Sequence, residues 1–293
     1  MPDTTSIPVD LQGPFNLALE RTPEARTFQM ETNYIHFGLE GKRKRTESFF
    51  LDMVYTPKGS PTGRLGQYTC SGISFQPGGN QPISIPELEG LTYQFNPTIQ
   101  TPVWGIPQER FWSLTDGQRP LPFEVRYASY VSFLDFHSFN DIFTRPMSFG
   151  DGIQNLKEIG QRVVHPASFI LAPVAFGTEV QQGSFFKNGE ISLELRGLSV
   201  VDGTPCALVA YDAGESTLKM IIQGPDGRRN VTDGGSLYRG DIYIDLATRW
   251  VRKATLDEYQ ISQSNLGDAA PCAAEYTVRH IILSSNERHT TGA

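Results

Sequence analysis

The sequence predicts a mainly β fold with a minor α contribution: a curved antiparallel sheet or incomplete barrel, with one principal amphipathic helix packed on it. Three observations predict this. The chain has 28 Gly and 20 Pro in 293 residues, a density of chain breakers that favours short strands and many turns. Period-two alternation of apolar side chains recurs in the N-terminal and C-terminal thirds, as expected where successive side chains point to opposite faces of a sheet. One long segment carries helical spacing instead.

In the N-terminal third, Thr27 to Gly38 places Phe28, Met30, Thr32, Tyr34 and His36 on one face. Phe49, Leu51, Met53 and Tyr55 form a second alternating set, ended by Pro57 and Gly59-Ser60-Pro61. Gln67 to Phe75 is a third strand. The short connections between them predict an antiparallel meander.

Residues 77 to 122 hold Pro77, Pro82, Pro86, Pro97, Pro102, Pro107, Pro120 and Pro122. Proline removes a ladder donor, so this segment is not central sheet. It also carries Tyr93, Trp104, Phe111 and Trp112, which predicts an ordered cover rather than a solvated linker.

Phe123 to Tyr127 reads as a short strand that turns helical. From Ser129 to Phe143, Phe133, Phe136, Phe139 and Phe143 recur at spacings of three and four, with Ser132, Asp135, Ser138 and Asp141 on the other side. This predicts an amphipathic helix that stops before Pro146. A second short helix is expected from Ile153 to Ile159, with Asp151 as N-cap and Gly160 as its stop.

The C-terminal third alternates at Ile191, Leu193 and Leu195, turns through Val201-Asp202-Gly203-Thr204-Pro205, and returns through Cys206 to Tyr211. Asp-Gly between apolar runs signals a hairpin. Leu218, Met220 and Ile222, a turn at Gly224-Pro225-Asp226-Gly227, a hairpin of Tyr238 to Asp245 with Val251 to Ile261, and a last strand from Tyr276 to Leu283 complete the set. In this repeated strand, Asp-containing turn, strand pattern, residues 185 to 285 are similar in texture to bacterial half-barrel lipid carriers, whose sheet holds an apolar ligand against helices. The resemblance includes no diagnostic motif and assigns no residue a role. The expected organisation is residues 1–122, meander plus cover, and 123–293, helix plus hairpins, within one continuous domain.

The net charge is -7, split -3 and -4 between residues 1–150 and 151–293. That balance argues against a nucleic-acid partner, which calls for a basic face. The one basic run, Lys42-Arg43-Lys44-Arg45, reads as a solvated turn or as an anion or membrane contact. No apolar stretch reaches the ~18 to 20 residues of a membrane span, and Met1 to Ser6 has no signal-peptide character. The expected location is cytoplasmic if Met1 is native, and periplasmic or secreted if a signal was removed. Oligomeric state is left open. Cys70, Cys206 and Cys272 form no framework; Cys206 and Cys272 either pair or stay as thiols. The Asn230-Val231-Thr232 sequon and the Arg239-Gly240-Asp241 tripeptide are short enough to arise by chance.

Phosphate loops, nucleophile elbows and metalloprotease motifs are absent, so no metal or cofactor is expected. The best local set for chemistry is His137 and Asp141, which meet at i and i+4 on one helix face, with Tyr130 nearby as a phenol. A carboxylate would orient the imidazole and raise its basicity. As a rim histidine, His137 would add little to stability. The carboxylate pairs Glu87 with Glu89 and Asp257 with Glu258, and the loop residue His165, are weaker sets. Trp104, Trp112, Tyr127 and Phe133 are the expected ring contacts to an apolar or aromatic small molecule or lipid held between sheet and helix. Two functions follow: binding of such a ligand, or a cofactor-independent isomerase, cyclase or hydrolase in the same cavity. Whether the protein is an enzyme stays open on sequence grounds.

Overall fold

The fold was taken from a computed structural model that describes residues 13–18, 20–58, 66–99, 102–144, 152–166, 168–171, 180–224, 227–266 and 273–287. Its elements, in chain order, begin with β1 (Arg26–Gly38), β2 (Arg43–Pro57), β3 (Gly66–Pro77), β4 (Ile83–Ser84) and β5 (Thr92–Gln94). The helices α1 (Glu109–Trp112) and α2 (Phe123–His137) follow, then β6 (Arg162–His165), β7 (Ser168–Leu171) and β8 (Phe185–Asn188). The chain closes with β9 (Ile191–Val201), β10 (Thr204–Ala213), β11 (Ser216–Gln223), β12 (Arg229–Asp245), β13 (Val251–Leu266) and β14 (Ala273–Glu287).

These strands make a mostly antiparallel sheet that does not close into a barrel. Its main path runs β4-β3-β2-β1-β14-β13-β12-β10-β9-β6, with β5, β7, β8 and β11 as branches. The N-terminal meander is present, and β1 is zipped along its length to β14. The inner face carries the alternating residues read from sequence: Phe28 and Met30, Phe49 to Tyr55, Ile191 to Leu195, and Ile281 and Leu283 are all buried. In β3 the buried set changes phase, from Tyr68 and Cys70 to Ile73, because the register shifts between Asp52 and Met53 at a bulge; the extra residue moves later side chains to the other face. Asp202 and Gly203, both at positive φ, turn β9 into β10, the conformation a two-residue hairpin needs.

Helix α2 corrects the sequence reading in three ways. Phe123 to Tyr127 is its first turns, not a strand, entered from Pro122; five residues are too few for periodicity to separate the two states. A π-helical turn, Ser138–Ile142, extends it, with the Phe143 amide donating to the Ser138 carbonyl. Part of the side read as polar is also covered rather than solvated. Ser132 is 1% exposed and Asp141 0%, because the sheet packs on one side and the Pro-rich segment on the other. Buried serines survive there by donating to the carbonyl four residues back: Ser129 to Val125, Ser132 to Ala128 and Ser138 to Leu134.

The Pro-rich segment is an ordered cover. Leu88, Ile106, Phe111 and Leu114 are fully buried, and among the described residues its strands β4 and β5 pair only with β3. The helix expected over Ile153 to Ile159 is a single 3₁₀ turn, Ile153–Asn155. Leu156 is buried but already extended, and Ile159 is 57% exposed, so the segment past that turn has no continuous helical face to pack. Gly160 does take positive φ, whereas Asp151, Pro146 and the turn residues Pro225 and Asp226 lie outside the described residues. The Arg239-Gly240-Asp241 tripeptide is in the middle of β12, between β10 and β13, and Asn230 to Thr232 also lie in β12.

Candidate functional site

His137 and Asp141 do meet. Nδ1 of His137 is 2.7 Å from Oδ2 of Asp141, and its Nε2 is 2.6 Å from the Tyr93 hydroxyl. Tyr68 donates to both Asp141 oxygens at 3.0 Å and accepts from Asn140 Nδ2 at 3.0 Å. Arg21, from the segment ahead of β1, reaches Asp141 Oδ1 at 3.1 Å and also donates to Thr144. Its guanidinium lies 4.4 Å from the Trp250 ring centroid, and Phe95 stacks on the imidazole at 4.3 Å. The π-helical turn places Asn140 and Asp141 beside β3, and the N-terminal segment brings the balancing charge.

Burial raises the Tyr93 phenol well above its usual range, helped by Tyr68 and Asp141 nearby. Tyr93 therefore stays protonated and pairs with Nε2, while the Asp141 carboxylate, which can only accept, takes the Nδ1 proton. The arrangement is a relay of phenol, imidazole and carboxylate, with a guanidinium paired to the carboxylate. It is sealed: His137, Asp141 and Asn140 are 0% exposed and Tyr68 1%. His137 is thus no rim histidine, and the expectation that it contributes little to stability is corrected.

The other predicted residues fall in different places. Tyr130 is fully buried and accepts from Gln108 at 2.8 Å, away from His137. Phe133 is core, between Phe111 and Tyr93. Trp112 packs on Tyr130, and Trp104 on Phe95. Tyr127 is half-buried against Phe123, and His165 meets the Phe143 ring. Glu87 and Glu89 accept from Thr115 and Ser84 respectively. Asp257 and Glu258 point to opposite faces, as their adjacency predicts: Asp257 bonds His280 and Glu258 bonds Arg279. Burial pushes the thiols of Cys70 and Cys206 up, to about 12 and about 11; Cys272 lies outside the described residues. Among the described residues, no group of three or more His, Cys, Asp or Glu could hold a metal ion. A groove of about 290 Å³ crosses the outer face of β6, β9 and β10, lined by Arg162, Glu190, Ser192 and Asp212, remote from the relay.

Sequence reasoning missed a second polar set on the inner face. Tyr34, Arg279, Glu258 and Tyr238 stand directly opposite one another across β1, β14, β13 and β12. Arg279 bonds Glu258 at 2.6 Å and Asp135 of α2 at 2.5 Å, and donates to Tyr34. Tyr238 donates to Asn188 at 2.5 Å, and Tyr127 lies beside Tyr34 and Arg279. Tyr34, Tyr127 and Tyr238 keep partial solvent contact. The only signal in sequence was Asp135 beside aromatic residues; the cross-strand register that assembles the row spans the whole chain.

Burial raises the Asp135 carboxyl to about 6, outweighing Arg279. A carboxyl whose folded pKa lies above its unfolded value of about 3.9 favours the native state when protonated. Its contribution is therefore full below pH ~4 and is lost as pH rises through ~6. Relative to Asp135→Asn, the wild type is expected to lose stability over that window; equal pH dependence of the two in urea unfolding would contradict this.

No protein-family model matches the chain, and no curated protein matches it. A solved structure titled "Crystal structure of the receptor binding domain" aligns over 91% of this chain and 79% of its own, at 9% identity and a TM-score of 0.14. That similarity carries no argument about fold or function. Among the described residues, no helix is long and apolar enough to cross a membrane.

Proposed function

We propose that the protein binds an aromatic or amphipathic small molecule non-catalytically, at the tyrosine-lined end of the inner face. The observation that carries this reading is the row Tyr34, Arg279, Glu258 and Tyr238, flanked by Tyr127 and Asp135. Its rings are partly accessible, whereas the relay under α2 is packed shut by Phe95, Phe136, Tyr68 and Tyr93. Rings rimming fixed polar groups suit a planar ligand: the faces supply contact area and the charges fix orientation.

The test is titration with an anilinonaphthalene dye. Saturable binding is expected in the wild type, and Tyr127→Ala is expected to weaken it by about 1 to 3 kcal/mol, the worth of a buried aromatic contact. Trp112→Ala, whose ring packs on Tyr130, is expected to leave the affinity unchanged. No saturable binding, or equal losses in both variants, would count against the site.

A second reading is favoured by Asp135, which Arg279 holds beside the same row at 2.5 Å and whose carboxyl pKa is raised by burial. Buried carboxylates with pKa values near neutrality serve as general acids or bases. That reading predicts substrate turnover that Asp135→Asn abolishes while dye binding survives.

A further inference from the structure

We propose that the outer face of the sheet, at the end marked by the β1–β2 turn, docks onto the surface of an anionic lipid bilayer. Two adjacent cross-strand rows there are apolar. Ile35, Val278, Tyr259 and Leu237 stand opposite one another in the first row, and Phe37, Tyr276 and Ile261 in the second. Rings connect them: Phe37 to Tyr276 at 5.8 Å, and Tyr259 to Tyr276 at 6.5 Å. These side chains are open to solvent where it counts, with Ile261 61%, Leu237 55% and Tyr259 40% exposed, and Leu39 in the turn 69% exposed. The next row along the same face is Asn33, His280, Asp257 and Arg239, the polar character expected of a sheet surface in water. The apolar patch is therefore local to one end.

Charge selects the occupant. Arg43 stands directly opposite Phe37, so the second apolar row continues into the basic run. Lys42, Arg43, Lys44 and Arg45 are all exposed. Arg45 is engaged by Glu47 at 3.4 Å, and Glu40 lies in the same turn, so Lys42, Arg43 and Lys44 against Glu40 leave the turn with two excess positive charges. The chain as a whole carries -7, so an anionic bilayer repels most of its surface and attracts this end. Tyrosines and aliphatics beside lysines and arginines match the layered chemistry of the lipid interface, where amphipathic rings settle at headgroup depth and basic groups meet the surface potential. The inference is independent of the inner-face reading, since no residue is shared.

The experiment is co-sedimentation of the full chain with phosphatidylcholine vesicles, with or without phosphatidylserine at about a third of the lipid. Binding is expected only with phosphatidylserine, and is expected to weaken as salt shortens the reach of the charges. The triple variant Lys42→Gln, Arg43→Gln and Lys44→Gln is expected to partition about a hundredfold more weakly, at roughly one factor of five per basic residue. Ile261→Ser with Leu237→Ser, both at exposed positions, is expected to weaken binding with circular dichroism unchanged. Failure of the wild type to bind phosphatidylserine vesicles overturns the proposal. So does a wild-type dimer in solution that Ile261→Ser with Leu237→Ser converts to monomer, which would make a second copy the occupant.

Discussion

Asp141→Ala is expected to lower the unfolding free energy by about 3–5 kcal/mol, the cost of breaking a buried ion pair from one side. Asp141 takes bonds from His137, Tyr68 and Arg21, with both charged partners nearly or fully buried. Without the carboxylate, the buried Arg21 loses its ion pair beside Trp250, and the His137 Nδ1 proton and the Tyr68 hydroxyl lose this acceptor in a buried region. Urea unfolding with an unchanged slope is the measurement. A loss below about 1 kcal/mol would mean that the relay is accessible to solvent, and would return His137 to the list of candidate catalytic groups.

Gly240→Ala is the second large effect, on the order of 2–4 kcal/mol. An added Cβ would lie 1.9 Å from the Thr255 carbonyl oxygen and 2.6 Å from the Tyr211 hydroxyl. Tyr211 threads this gap, donating to the same Thr255 carbonyl at 2.7 Å. The β12–β13 ladder registers as pairs on either side, at Arg239 with Asp257 and at Ile242 with Ala254, and the tyrosine supplies a donor where the backbone does not. The clash is with main chain, which cannot swing aside. Gly41→Ala is the control: its Cβ meets nothing within 4 Å, though its φ is +77, and only about 1 kcal/mol of backbone strain is expected. Equal midpoints for the two variants in thermal unfolding would refute the role assigned to Tyr211. This also accounts for the glycine of the Arg-Gly-Asp tripeptide by packing alone.

The strands were legible in sequence because half-buried antiparallel strands alternate, and Phe28 to Tyr34 or Ile191 to Leu195 alternate cleanly. The Pro-rich cover was legible through proline and ring content. Helix α2 was located but misread in character, since periodicity assumes a polar wet face, and here Ser132 and Asp141 are buried while Tyr127, Val131 and Leu134 are partly exposed. At the site, the His137–Asp141 pair was visible because i and i+4 are neighbours on any helix. Arg21, Tyr68, Tyr93 and Asn140 were not, because no local pattern says which strand or loop lies under a helix. The Tyr34–Arg279–Glu258–Tyr238 row was invisible for the same reason: it depends on β1 finding β14.

That pairing has a consequence for how the chain is made. The β1–β14 ladder lies in the interior of the sheet order, yet joins segments from opposite ends of the sequence. Such contacts carry the largest loop-closure cost and slow folding. During synthesis the β1–β2–β3 meander emerges well before β14 and waits, with one edge of β1 unsatisfied, until β14 has left the ribosome. An unpaired, apolar edge held open for that long is a template for misassembly. For the nascent chain, the final strand acts as a closing seal, and shielding of the early meander until it arrives is a requirement of the topology itself.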